Sequence, residues 1–215
     1  LMGCSQVQDT QDLAKKYQHW GEQQLFASGE LAMNDGDYLE AVEFFQALQA
    51  TYPFGKTAEQ AQLDLIYAYF KTDDYASTVA AAQHYVHLYP RGKHVDYAYY
   101  MKGIANFNAD RSFLQKWLPI ALDGRDVGSM RDAYRDFMML IQLFPNSRYT
   151  ADARQHLVYL RNVLAKQEMH IARYYYRRQA YVAAANRASY LVEHYPHAPQ
   201  VKSALQLMVN AYNHL

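Results

Sequence analysis

The sequence has 215 residues, with 21 basic and 21 acidic side chains and a formal net charge of zero. That balance argues against nucleic acid as the main partner, since phosphate binding needs a net basic surface. No run of about 20 apolar residues is present to span a bilayer, and the single cysteine leaves no intrachain disulfide to form. The charge is unevenly placed: residues 1–110 hold 7 Lys+Arg and 14 Asp+Glu, residues 111–215 hold 14 and 7. Either the two ends attract different partners, or the surface charge simply drifts along the chain. Tyrosine is abundant at 21, few segments alternate apolar and polar residues as strands do, and the chain reads as all-α.

Leu1-Met2-Gly3-Cys4-Ser5 resembles a bacterial lipobox, a signal cut before a cysteine that then receives acyl chains. Cys4 is thus the expected lipidation site, and Ser5 in place of aspartate resembles lipoproteins sorted to the outer membrane. Two or three acyl chains anchor stably where one does so only marginally, so the expected protein is tethered rather than embedded. Residues 5–16 are polar and poor in core formers. They read as a leash of at most about 40 Å, with the globular part starting near Tyr17.

Tyr17 to Met33 reads as a first helix, Asn34-Asp35-Gly36-Asp37 as a turn, and Tyr38 to Tyr52 as the partner helix. A second pair follows, Thr57 to Phe70 and Tyr75 to Tyr89 across Thr72-Asp73-Asp74, and a third opens with Val95 to Phe107. These segments share one register. Counting from Pro53, Pro90, Pro145 and Pro196, the preceding residue is aromatic each time: Tyr52, Tyr89, Phe144 and Tyr195. Five back lies a large apolar residue (Leu48, Tyr85, Leu140, Leu191), and eight forward lies an alanine (Ala61, Ala98, Ala153, Ala204). Positions eight, twelve and fifteen back complete a stripe at helical spacing, which predicts a buried face. Proline stops each helix by forcing its predecessor out of the α region, and the alanine lets the next helix come close. Antiparallel pairs with these features resemble the tetratricopeptide repeat, whose period is about 34 residues. The expected architecture is a superhelix of about five repeats, the last incomplete.

The first proline interval is 37 residues, the second 55 and the third 51. The second excess falls at Asn108 to Gly128, an insertion with breakers Pro119 and Gly124 but also Phe113, Leu114, Trp117 and Leu118. The third carries no breaker between Thr150 and Gln179. Its 14 extra residues are close to four turns, which predicts one helix of about twice the usual length, in unchanged phase. It carries Arg154, Arg161, Lys166, Arg173, Arg177 and Arg178. The fifth repeat supplies only Val201 to Leu215, without a second helix. This divides the chain into residues 1–16 as a tether, 17–145 as repeats one to three, and 146–215 as repeats four and five.

The residues of an active site are not in evidence. His84-x-x-His87, His194 and His197 lack a third ligand nearby and predict no metal site. Asp35-Gly36-Asp37 and Asp73-Asp74 fall where turns and helix caps need aspartate. There is no glycine-rich phosphate loop and no nucleophile elbow. The chain reads as non-catalytic, with no cofactor beyond a covalent lipid on Cys4. Tyr67, Tyr69, Tyr97, Tyr99 and Tyr100 cluster on the first helices of repeats two and three. They serve either packing between repeats or a groove for an extended aromatic-rich peptide.

Tyr52-Pro53-Phe54-Gly55, Leu63-Asp64-Leu65-Ile66-Tyr67-Ala68-Tyr69, Val95-Asp96-Tyr97 with Met101-Lys102-Gly103, and Phe144-Pro145-Asn146-Ser147-x-Tyr149 are more specific. With Leu164-Ala165-Lys166 and Asn186-Arg187, they resemble the BamD family, lipoproteins of the bacterial outer-membrane β-barrel assembly machinery. The resemblance implies a scaffold on the periplasmic face of the outer membrane. Its C-terminal repeats would bind the periplasmic domains of BamA, with Arg187 first and Arg173 and Arg177 next as contacts. Its N-terminal repeats would meet unfolded outer-membrane β-barrel proteins through Tyr67, Tyr69, Tyr99 and Tyr100, and other assembly lipoproteins would be further partners. Repeat and lipobox by themselves also suit another envelope helical-repeat lipoprotein, one coordinating cell-wall synthesis or binding peptides. That alternative is marked by a coiled-coil or oligomerising segment, and none is visible.

Overall fold

The computed structural model describes residues 12–112 and 127–215. Cys4 with its lipobox and the insertion residues 113–126, Trp117 among them, lie outside that range. All regular structure among the described residues is helical. After a helical turn at residues 12–16 come α1 (Glu22–Asp35), α2 (Tyr38–Thr51), α3 (Ala58–Lys71), α4 (Tyr75–Leu88) and α5 (Val95–Ser112). Beyond the insertion are α6 (Gly128–Leu143), α7 (Thr150–Arg177), α8 (Tyr181–His194) and α9 (Val201–Tyr212). The chain forms two compact units, one ending at Ala109 and the other beginning at Asp110. In the first, α1 packs on α2, α2 on α3 and α3 on α4; in the second, α6 packs on α7, α7 on α8 and α8 on α9, and α7 also touches α9.

The aromatic-proline pairs end their helices as expected. Tyr52, Tyr89, Phe144 and Tyr195 leave the helical region with φ between −123 and −131 and ψ between 52 and 61. Each still donates its N–H to the carbonyl five residues before the proline, at 2.7–2.9 Å. Each also accepts, from the residue three on, the bond of a turn with proline at its second position, at 2.8–3.1 Å. A nearly identical turn thus follows α2, α4, α6 and α8, and aims the next helix back along the last.

The buried stripe is where the register places it. Ala41, Phe45 and Leu48 in α2, Thr78, Ala82 and Tyr85 in α4, and their counterparts in α6 and α8 are almost fully buried. The four alanines beyond the prolines, Ala61, Ala98, Ala153 and Ala204, are 0% exposed. A larger side chain there would push its helix off its neighbour. Within a pair, the link between helices needs one left-handed residue. Gly36 (φ 82), Asp73 (φ 59) and Gln179 (φ 62) take that place in turn. The two non-glycines pay a steric cost of about 1 kcal/mol or more for it. The next residue caps the second helix where it is aspartate: Asp37 accepts from the N–H of Glu40, and Asp74 from that of Ser77, both at 3.0 Å.

Three boundaries differ from expectation. The tether does not extend to residue 16: residues 12–16 are helical and Leu13 packs on the first unit's core, beside Tyr17 and Trp20. Tyr17 to Met33 is not one helix, because Gly21 is extended and α1 begins after it. The Trp20 carbonyl instead accepts the Tyr52 hydroxyl at 2.9 Å. The helix expected to stop at Phe107 continues to Ser112. The long helix is as expected: α7 has 28 residues against 14 in α1 to α4 and α8.

Candidate functional site

In the second unit the basic side chains divide by what they meet. Glu168, near the middle of α7, is 1% exposed. Two guanidinium groups hold it, Arg131 of α6 at 3.2 Å and Arg187 of α8 at 3.1 Å. Both arginine side chains remain 43% exposed. A buried carboxylate is tolerable only when paired in this way, and the pair pins three helices at one point. Tyr195, buried next to them, has its phenol pushed up chiefly by that burial, with Tyr190 and Glu168 adding to it. Arg187, singled out as a partner contact, is therefore also a structural clamp. Sequence spacing did not reveal this, because Arg131, Glu168 and Arg187 lie far apart in the chain.

Arg173 and Arg177 differ from it. They stand four residues apart on α7, exposed, with Lys166 seven residues earlier on the same side. Arg173 borders a groove of about 360 Å³ between α7 and α9, with Lys202 on the opposite wall.

In the first unit the expected tyrosines do not share one face. Tyr67 and Tyr69 are two residues apart on α3, so their side chains point to nearly opposite sides of that helix. Tyr69 packs on the core and accepts a hydrogen bond from the Gln46 amide. Tyr67 is 37% exposed, and its ring meets that of Tyr38 edge-on with centroids 6.0 Å apart. The Lys71 ammonium lies over both rings, 5.2 Å from Tyr38 and 6.0 Å from Tyr67. Tyr97, Tyr99 and Tyr100 of α5 are half-buried. Thus Tyr38, absent from the sequence-derived set, belongs with Tyr67. The offset that marks it as a stripe position concealed that it lies at the stripe's open end.

Other features went unmarked. Phe54, in the turn after Pro53, is 97% exposed. On α9, Leu205, Val209 and Tyr212 form an exposed apolar row opposite the buried Ala204, Leu207 and Ala211. His84 and His87 are exposed, and among the described residues no three His, Cys, Asp or Glu side chains come together. No described helix is long and apolar enough to cross a membrane.

These features define a class: an all-α helical-repeat protein whose two units differ in charge, the first rich in acidic and the second in basic side chains. Residues 19–215 match the YfiO family, described as outer membrane lipoprotein, and the chain belongs to that family. Among its relatives is the outer membrane protein assembly factor BamD of Neisseria gonorrhoeae. It is 38% identical over 216 residues, which cover all of this chain and 80% of the relative. The protein of the same name in Vibrio cholerae is 37% identical over 192 residues, covering 89% of this chain and 80% of its own. That of Haemophilus influenzae is 33% identical over 212 residues, covering 99% and 79%.

Proposed function

We propose that this protein is a lipid-anchored, non-catalytic scaffold that helps assemble β-barrel proteins into the outer membrane. The family membership over residues 19–215 carries the reading, since its relatives are outer membrane protein assembly factors. Cys4 would bear the lipid. The basic second unit would dock on the periplasmic domains of BamA through the exposed edge of Arg187, with Arg173 and Arg177 adding to the field. Other assembly lipoproteins would join the same complex. The first unit would meet unfolded barrel segments through Tyr67, with Tyr99 and Tyr100 on the next repeat and Tyr69 at the margin. Flat rings with a polar rim suit extended chains rich in aromatics.

Co-purification from native membrane tests the whole reading: recovery of BamA supports it, and recovery of cell-wall enzymes alone would overturn it. Arg187→Glu should weaken that association in a salt-sensitive way. An unchanged pull-down at low salt removes Arg187 from the interface. Photocrosslinkers at Tyr67 and Tyr100 should capture a C-terminal barrel peptide better than one at Glu40 on α2. Equal capture would remove the tyrosine surface.

A further inference from the structure

We infer that the groove between α7 and α9 is a binding site for an extended acidic peptide segment of a partner protein. Its floor is apolar, made by Met169 and Leu207, which are almost fully buried. Its walls are cationic, with Arg173 on α7 facing Lys202 on α9. Gln206 and Asn210, one turn apart on α9, border the same space. Their amides offer both donors and acceptors at a spacing that suits the backbone of an extended chain. Arginine adds a fork that takes a carboxylate in two parallel hydrogen bonds.

Charge complementarity selects the occupant. α9 contains no aspartate or glutamate. α7 contains two acids: Asp152 in the first turn, within 3.3 Å of His156, and Glu168, already held by two arginines. No unpaired acid of either helix opposes an incoming anion. Lys166 and Arg177 continue the basic row on the same side of α7, so the attraction extends along a segment rather than acting at one point. An apolar floor between cationic walls favours a peptide that alternates acidic and apolar residues, since an extended chain turns successive side chains to opposite sides.

This goes beyond the assembly reading, because it depends on the groove and not on which subunit supplies the segment. The test uses the purified protein and a fluorescent peptide of alternating glutamate and leucine, with fluorescence anisotropy at low and high salt. Binding should weaken with salt. Arg173→Glu and Lys202→Glu should each lower affinity at least about tenfold, Arg173→Lys should lower it less, and Arg154→Glu, also on α7, should leave it unchanged. Circular dichroism of each variant confirms its fold. No binding of the peptide, or equal loss in Arg154→Glu, overturns the proposal. So does capture by phosphatidylglycerol vesicles that the peptide fails to displace, which would assign the row to a membrane surface. Lys202 is not among the proposed BamA contacts, so loss of peptide binding in Lys202→Glu with BamA recovery intact separates this site from that contact.

Discussion

The clamp on Glu168 sets the cost of altering Arg187, the residue proposed to face the partner. Its guanidinium lies 3.1 Å from the carboxylate. At that separation two unit charges attract by about 5 kcal/mol at an effective dielectric of about 20, and by about 1.3 kcal/mol in bulk water. Because Arg187 is 43% exposed and Arg131 remains on the other oxygen, the weaker end of that range applies. Arg187→Met should therefore destabilise by about 1–2 kcal/mol and lower Tm by about 3–6 °C. Glu168→Gln removes the charge but keeps the shape. In the double variant most of the Arg187→Met penalty should vanish, giving a coupling of about 1–2 kcal/mol in a double-mutant cycle read by urea denaturation. A coupling below about 0.3 kcal/mol would refute the clamp. Arg187→Glu would set a second carboxylate against Glu168, so a pull-down with it is interpretable only beside its stability. Arg187→Met in the Glu168→Gln background isolates the interface: partner binding should still fall there, although the fold loses little.

Three further outcomes follow from local geometry. Burial raises the Asp64 carboxyl from its ordinary value of 3.8 to about 6, with the Gln60 amide opposing the shift. Between those values the folded state holds more protons than the unfolded chain, so this group's contribution declines as pH rises from about 4 to about 6. Asp64→Asn should match the parent near pH 4 and exceed it by about 1 kcal/mol near pH 7.5, after discount for solvent. An equal gap at both pH values contradicts the assignment. Gly29 on α1 lies where a Cβ would come within 2.6 Å of the Phe45 ring. Gly29→Ala should cost about 1–3 kcal/mol in thermal unfolding despite its better helix propensity, and a gain would show the crossing to be loose. At Gln179, φ is 62. Gln179→Gly should stabilise by about 0.5 kcal/mol, the left-handed strain relieved less the extra entropy lost by glycine; a drop in Tm would contradict this.

The repeat was legible because its cause is local. An aromatic-proline pair ends a helix wherever it occurs, and alanine at a fixed distance beyond it admits a close neighbour, so Ala61, Ala98, Ala153 and Ala204 could be assigned to helix contacts from spacing alone. The doubled α7 was legible for a similar reason, since its 14 extra residues preserve helical phase without a breaker. The extent of the tether was misjudged because one leucine among polar residues carries no periodicity. Leu13 finds its place only once Tyr17 and Trp20 are packed on α2.

The sites depend on which helices stand beside one another. Nearness in the chain groups Tyr67 and Tyr69 in one cluster, yet two residues on a helix diverge, and α2 decides what each one meets. Arg187 was chosen by resemblance, but its hold on Glu168 comes from α7 and α8 lying side by side with α6 closing the other flank. The groove at Arg173 and Lys202 likewise needs α7 and α9 in contact. By itself the sequence determined where helices stop, which faces are buried and that the repeats pair, because those follow from backbone sterics and the burial of apolar stripes. Only the tertiary structure decided which charges are already neutralised and which remain for a partner, because that depends on distances between residues remote in the chain.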